Sequence, residues 1–385
     1  MLHMAGGESS GASRWQAEPM PVKYWSFAGL ILTYWCNARC DSCYLNCGPQ
    51  RRECFELDEA IGVWRSLIDA CPRGCRIHIG GGEPFGQWEL LIELCRRAKE
   101  EGLAPLEKVE TNAFWATDDK IVRDRLVALK EAGMRKLVVS ADPYHQQFVP
   151  IERCRLTARV AEDVLDGQRV QVRWRDWLAD GFDTGAMSES ERCALFSQYA
   201  GRGRDRLNGR AAELLAGLMP CRRISELGGR DVQPCGEPLL RSRHVHVGPD
   251  GLVMPGVCAG IILGRICVSP DESGNSLVSA SVGEEGQCRA EDSIAAVWQQ
   301  LNSRFSTAGE GWARVDSRPI LSVLARSGPM GLLALAEPAG FVPAERYAGK
   351  CHLCWDIRRF FVNTGMHRRE LGPAWLYNIH PAEAL

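Results

Sequence analysis

The sequence predicts an α/β protein in which a parallel sheet, as a full or partial barrel or a doubly wound sheet, is followed by a smaller α+β domain built around a hairpin. Three observations predict it. From Trp25 to about Trp177, short aliphatic and β-branched runs alternate with stretches of helical period, as repeated βα units do. The spacing leaves room for one crossover helix between successive strands, which makes neighbouring strands parallel and the crossovers right-handed. After Trp177 the alternation stops, Gly and Pro become frequent, and His244 to Val247 and Leu252 to Met254 alternate on either side of a Pro249-Asp250-Gly251 turn.

Taken in order, Phe27 to Thr33 reads as the first strand, followed by a polar cysteine loop and a helix near Asp58 to Ala70. A strand at Arg76 to Ile79 leads to a helix at Trp88 to Glu101, and a strand at Leu106 to Glu110 to a helix at Asp119 to Ala132. Lys136 to Ser140 is the fourth strand, Ile151 to Leu165 the fourth helix and Val170 to Trp174 the fifth strand. Ser188 to Tyr199, Arg210 to Met219 and Asp292 to Asn302 have helical period, and the Ser-, Gly- and Glu-rich stretch from Ser269 to Gln287 reads as an exposed loop. The expected division is a disordered tail over residues 1–22, the sheet domain over 23–220, and the smaller domain over 221–385 with an insertion near 268–290. In either parallel architecture, reactive residues belong in the loops at the carboxyl ends of the strands.

Composition narrows the function class. Hydrophobic residues at 45% and charged residues at 24% are those of an ordinary globular chain, and 385 residues suffice for a large core. With 46 basic against 48 acidic residues there is no global field to recruit nucleic acid or an anionic membrane. No signal peptide is visible and no segment approaches the roughly 18 apolar residues of a membrane span, so a cytoplasmic location is expected. Seventeen cysteines in a reducing compartment then read as metal ligands or small buried hydrophobes rather than disulfides.

Cys36, Cys40 and Cys43 form C-x3-C-x2-C directly after the first strand. One short loop of this spacing can wrap three corners of a cubic 4Fe-4S cluster, and the fourth iron is left as an open, Lewis-acidic position. Gly80-Gly81-Gly82-Glu83-Pro84 follows the second strand, Glu110-Thr111-Asn112 the third, and Ser140 and Asp142 the fourth. In this order the motifs resemble the radical S-adenosylmethionine superfamily. The resemblance implies a partial (β/α)6 TIM-like barrel, a 4Fe-4S cluster that chelates S-adenosylmethionine, and reductive cleavage to a 5'-deoxyadenosyl radical with electrons from a flavodoxin or ferredoxin. It assigns the cluster to Cys36, Cys40 and Cys43, and the cofactor to Gly81, Gly82, Glu83, Pro84, Thr111, Asn112, Ser140 and Asp142. Two positions depart from the family pattern. Ser42 stands where an aromatic or apolar residue usually precedes the third cysteine, with Tyr44 expected to take over packing at the adenine, and Ala113 replaces a glycine.

Arg173 and Arg175 flank Trp174 on the expected fifth strand, where alternation puts both arginines on one face, and Arg173 is a candidate for a carboxylate of cofactor or substrate. His145 and Tyr144, in the loop after the fourth strand, are candidate proton acceptors. Downstream, Cys235, Cys258, Cys351 and Cys354 supply four thiolates around the hairpin, enough to close a second 4Fe-4S cluster or a structural zinc site. The arrangement looks like the twitch domain, the shortened relative of the SPASM domain. Cys47, Cys54, Cys71, Cys75, Cys95, Cys154 and Cys193 receive no ligand role. The expected function is radical hydrogen abstraction from a peptide or small molecule, for a two-electron oxidation or cross-link of the peptide-maturase kind. An aminocyclitol-type dehydrogenase is the alternative within the family, a methyl or methylthio transfer a further one, and a non-catalytic zinc-binding interaction protein the alternative outside it.

Overall fold

A computed structural model describes residues 20–379, apart from 104, 203–204, 271–275, 280–292 and 306–317. Residues 1–19 of the expected tail and most of the expected insertion lie outside the described residues. The end of that tail is tied down: Met20 N donates to Phe305 O at 2.7 Å and Val22 N to Asn302 Oδ1 at 3.1 Å.

The βα alternation is present as read. Strand β1 (Phe27–Thr33) is followed by α1 (Leu57–Asp69), β2 (Arg76–Gly81), α2 (Trp88–Glu100), β3 (Leu106–Thr111), α3 (Asp119–Glu131), β4 (Lys136–Val139), α4 (Ile151–Leu165) and β5 (Val170–Val172). Helices α5 (Arg175–Asp180) and α6 (Glu189–Ala200) follow, then β6 (Arg222–Arg223), β7 (His244–Val247), β8 (Leu252–Pro255), β9 (Gly264–Arg265), β10 (Cys267–Pro270) and β11 (Ser276–Ser279). The chain ends with α7 (Ile294–Phe305), α8 (Pro319–Ala336), β12 (Arg346–Tyr347) and α9 (Lys350–Asn363). Local chemistry sets several starts. Glu56 and Glu59 form a capping box at α1, Asp118 Oδ1 accepts from Ile121 N at α3, and Ser188 with Glu191 boxes α6. Nearly every residue of β1 is buried, as expected of a parallel strand covered on both faces.

One sheet of eight strands runs β5-β4-β3-β2-β1-β7-β8-β9. The strands from β5 to β1 and β7 are parallel, while β8 and β9 return antiparallel. The hairpin expected at the heart of a separate domain therefore belongs to the main sheet: β7 pairs with β1 in the register Phe27↔His244 to Leu30↔Val247. The sixth parallel strand of the expected (β/α)6 series thus lies on the β1 edge rather than beyond β5, and the sheet crosses the expected boundary at residues 220 and 221. An alternating hairpin satisfies its backbone equally well against any open strand edge, and β1 offers one.

Other elements differ in detail. Residues 211–218 form a single π turn and a 3-10 turn rather than a continuous helix. The stretch read as an exposed loop contains the paired strands β10 and β11. Helix α8 was not anticipated. With its 3-10 extension, Pro319–Ala339, it is long and apolar enough to cross a membrane by length and composition, with mean hydropathy 1.4. It breaks at Gly328, packs against α9, and has 56% of its most apolar 18-residue stretch buried. Those are properties of a core helix, and Glu370 caps its start by accepting from Ile320 N and Leu321 N, both at 2.9 Å.

Candidate functional site

The loop after β1 places Cys36, Cys40 and Cys43 on the wall of one cavity of about 140 Å³ at the carboxyl ends of the parallel strands. Buried Arg210 holds the loop in shape, donating from Nε to Cys40 O at 3.0 Å, from Nη1 to Asn46 Oδ1 at 2.6 Å and from Nη2 to Cys47 O at 2.5 Å. Burial pushes the Cys36 thiol up to about 12 and raises Cys40 as well. Cys43 is held down, to about 5, by a hydrogen bond from the Cys47 thiol. Cys47, given no role from sequence, lines the same cavity.

The glycine run after β2 serves the backbone first. Gly81 has φ +130°, and a Cβ there would lie 2.5 Å from Thr33 O; a Cβ on Gly82 would lie 1.9 Å from Trp35 O. The two strand ends therefore meet without side chains, joined by Gly82 N to Thr33 O at 2.8 Å and Glu83 N to Trp35 O at 2.9 Å. Gly81, Gly82, Glu83 and Pro84 all line the cavity. The Glu83 carboxylate already accepts from Phe85 N (3.1 Å), Thr111 Oγ1 (2.9 Å) and Asn112 N (2.6 Å), clamping β2 to β3. Burial raises its pKa to about 7 against these donors. Asn112 reaches Cys36 Sγ at 3.7 Å and Asn37 Oδ1 at 2.9 Å through Nδ2, so the β3 end orients the first cysteine. Ala113, standing for glycine, adopts φ +67°, the left-handed region that glycine occupies most easily.

Thr111, Asn112, Ser140, Tyr44, His145 and Arg173 line this cavity too, while Asp142 and Tyr144 do not. Asp142 is fully buried behind it, with Oδ2 at 2.8 Å from His145 Nδ1 and 3.2 Å from Arg173 Nε, and Oδ1 accepting from Tyr144 N and His145 N. Its expected place on the cofactor is corrected to one that positions His145 and Arg173. Burial would raise its carboxyl, but the charges of His145 and Arg173 outweigh that and hold it below the usual carboxylate range. Tyr144 turns into the core, edge-on to Phe196 and 3.3 Å from Asp205 Oδ2, and is no candidate proton acceptor. Arg173 spends its guanidinium on Asp142 and Asp205. Arg175 does not share its face: β5 stops at Val172, and Arg175 opens α5 and pairs with Glu162. Ser42 lines the cavity with a buried Oγ that makes no hydrogen bond, and Tyr44 carries Arg206 over its ring at 4.8 Å.

Cys235, Cys258, Cys351 and Cys354 gather around Arg358 of α9. Burial raises Cys235 to about 11 and raises Cys258, with further increments from the other cysteines of the group. The Arg358 guanidinium, fully buried, donates to Ala259 O at 2.9 Å, Tyr377 Oη at 3.0 Å and Asn208 Oδ1 at 2.7 Å, and also bonds Cys354. Neither Arg210 nor Arg358 carries a local sequence signal, although Arg358 follows Cys354 by one helical turn.

No known family profile matches the sequence, and no curated protein matches it. Among solved structures, the chain is similar to BtrN in complex with AdoMet and 2-DOIA at 16% identity and TM-score 0.39, over 74% of this chain and 88% of that one. Streptococcus suis SuiB bound to S-adenosylmethionine aligns at 12% identity and TM-score 0.33, over 61% of this chain and 60% of that one. Native anSMEcpe with bound AdoMet and Cp18Cys peptide aligns at 15% identity and TM-score 0.33, over 60% and 73% respectively. At these values the functional assignment rests on the residues of the site.

Proposed function

We propose that the protein is a radical S-adenosylmethionine enzyme. The observation that carries this reading is the convergence of Cys36, Cys40 and Cys43 with Gly81 to Pro84, Thr111, Asn112 and Ser140 on one cavity at the strand ends. The donor set fits a 4Fe-4S cluster: three thiols on one loop share a cavity wall, and Asn112 Nδ2 is within reach of the Cys36 sulfur. A cluster held by Cys36, Cys40 and Cys43, with S-adenosylmethionine and an external electron, would supply a 5'-deoxyadenosyl radical for hydrogen abstraction. Raised thiols such as Cys36 give up their protons on binding iron, so loading releases acid. Glu83 keeps the β2 and β3 ends fixed relative to the cysteine loop. Asp142 holds His145 at Nδ1, which leaves His145 Nε2 to take or give a proton at the cavity wall.

A second 4Fe-4S cluster at Cys235, Cys258, Cys351 and Cys354 is supported by the gathering of four thiols around a buried cation. A cluster closed by four cysteines has no open iron, and its economical role is to accept the electron left after hydrogen abstraction. The reading is then a two-electron oxidation or cross-link of a peptide or small molecule in the cytoplasm, with a flavodoxin or ferredoxin as electron source. Anaerobic incubation of the iron- and sulfide-loaded protein with S-adenosylmethionine and dithionite is expected to release 5'-deoxyadenosine. Cys40→Ala is expected to abolish the release. Its absence from wild-type protein holding its full iron would sink the proposal.

A further inference from the structure

One face of the sheet carries three histidines: His78 on β2 and His244 and His246 on β7, in register with Gly29, Phe27 and Gly29 of β1. They lie in distant parts of the chain, and the pairing of β7 with β1 brings them together. One ring nitrogen from each falls within 4.8 Å of the others, and His78 Nε2 and His244 Nε2 are 2.9 Å apart. Tetrahedral zinc, with bonds of about 2.0–2.1 Å, would set its imidazole nitrogens about 3.3 Å apart, inside this spread.

Two glycines leave the rings their space. A Cβ on Gly29 of β1, the strand between them, would lie 2.4 Å from His246 Cδ2 and 2.5 Å from His78 Nε2. A Cβ on Gly256 would lie 2.2 Å from His244 Nδ1. Phe27 packs its ring against both His78 and His244 at 4.8 Å and walls the group on that side. His78 Nδ1 is buried without a hydrogen bond, and Glu110 Oε1 stands 3.5 Å from it. A hydrogen bond across this gap would give His78 the outer carboxylate partner usual for a metal-bound imidazole.

We propose that His78, His244 and His246 bind one divalent transition ion of the zinc class, with Glu110 as the outer partner of His78 and the fourth coordination position reached from the cavity. Three imidazoles with an open position make a ligand set suited to a catalytic rather than a structural ion. His78 and Glu110 line the same cavity as Cys36, Cys40 and Cys43, which puts one of the three imidazoles on that cavity's wall. At 2.9 Å the His78 and His244 Nε2 atoms share one proton in a hydrogen bond, and an ion bound between the rings would displace it. The cations Lys108 and Arg206 stand beside the group. Lys108 is engaged by Glu110 at 2.6 Å, and Arg206 by Gly256 O at 2.8 Å. Two cations beside a metal ion favour an anionic oxygen as its fourth ligand, and a carboxylate or alkoxide of a small molecule has that chemistry.

Zinc added to the iron- and sulfide-loaded protein, followed by desalting, tests the site. About one zinc per chain is expected to remain, with X-ray absorption showing imidazole and oxygen at about 2.0–2.1 Å and no sulfur at about 2.3 Å. His244→Gln and His246→Gln are each expected to weaken zinc binding by more than the about 10–100-fold that losing an outer-shell partner costs, with iron and sulfide contents unchanged. No retained zinc, sulfur in the zinc shell, or wild-type affinity in both variants would overturn the proposal. Should the variants not fold, the wild-type ligand shell decides alone. The site stands on its imidazoles, and a failure to form 5'-deoxyadenosine would leave it intact.

Discussion

At the scale of single residues, the site depends on side chains that hold other side chains. Cys47 is the sharpest case. A fourth thiol on the cavity wall would close the cluster if it were a ligand; an open iron requires it instead to stand beside the Cys43 sulfur as a donor. Cys47→Ala is therefore expected to keep the iron content and 5'-deoxyadenosine formation of the wild type, with a more negative cluster potential, because hydrogen bonds to cluster sulfur raise it. Loss of four irons would make Cys47 a ligand instead. Asp142 is a second case. Asp142→Asn leaves the Arg173 guanidinium with Asp205 alone, and breaking a buried ion pair costs about 3–5 kcal/mol, here at the lower end because one partner remains. The folded carboxyl sits below its unfolded value of about 3.9, so its contribution is complete above that pH and is lost only as pH falls below it. Denaturant melts should therefore separate wild type and variant at about pH 5, with the gap closing as pH falls below about 3.9, and a gap that persists undiminished well below that pH would contradict the assignment.

At the scale of elements, what a sequence reports is periodicity and punctuation, and in the βα units both are plain. Strands β1 to β4 and helices α1 to α4 lie within a few residues of their expected positions, and Cys36, Cys40, Cys43, the glycine run and Asn112 share a cavity because βα loops share one end of a parallel sheet. What was not legible has a common cause. The alternation of His244 to Val247 says which side chains share a face but not which strand edge they join, so the trio with His78 left no local trace. Arg210 acts on residues more than 160 positions away. Helix α9 shows what an element adds beyond its motif: Cys351 and Cys354 lie on its first turns, and Arg358 follows on the face that meets Tyr377 and Asn208. A buried cation beside a cluster stabilises its reduced, more negative form. Arg358→Met is thus expected to keep the second cluster's iron and lower its midpoint potential by about 60 mV or more, a tenfold change in a one-electron equilibrium. An unchanged potential would place the cluster away from Arg358.

At the scale of the whole molecule, the sheet joins what composition divides. The shift in Gly and Pro content after Trp177 suggests a boundary near residue 220, yet β7 supplies the partner for one edge of β1, and β8 and β9 extend the sheet from there. Asn208 and Arg206 bind across the same junction, Asn208 to Val257 O at 3.3 Å and Arg206 to Gly256 O at 2.8 Å. A chain ending at residue 220 would expose the edge of a largely buried hydrophobic strand together with the part of α1 that α7 covers. Such an edge is a template for intermolecular pairing. The 1–220 fragment is therefore expected to be insoluble or aggregated on expression, and cluster loading should not rescue it, since the missing contacts lie along the strand and not at its cysteine end. Sedimentation and circular dichroism decide the matter. A soluble, monomeric fragment with the helix and strand content of the intact sheet would mean that β1 tolerates an open edge and that the composition boundary is a true domain boundary.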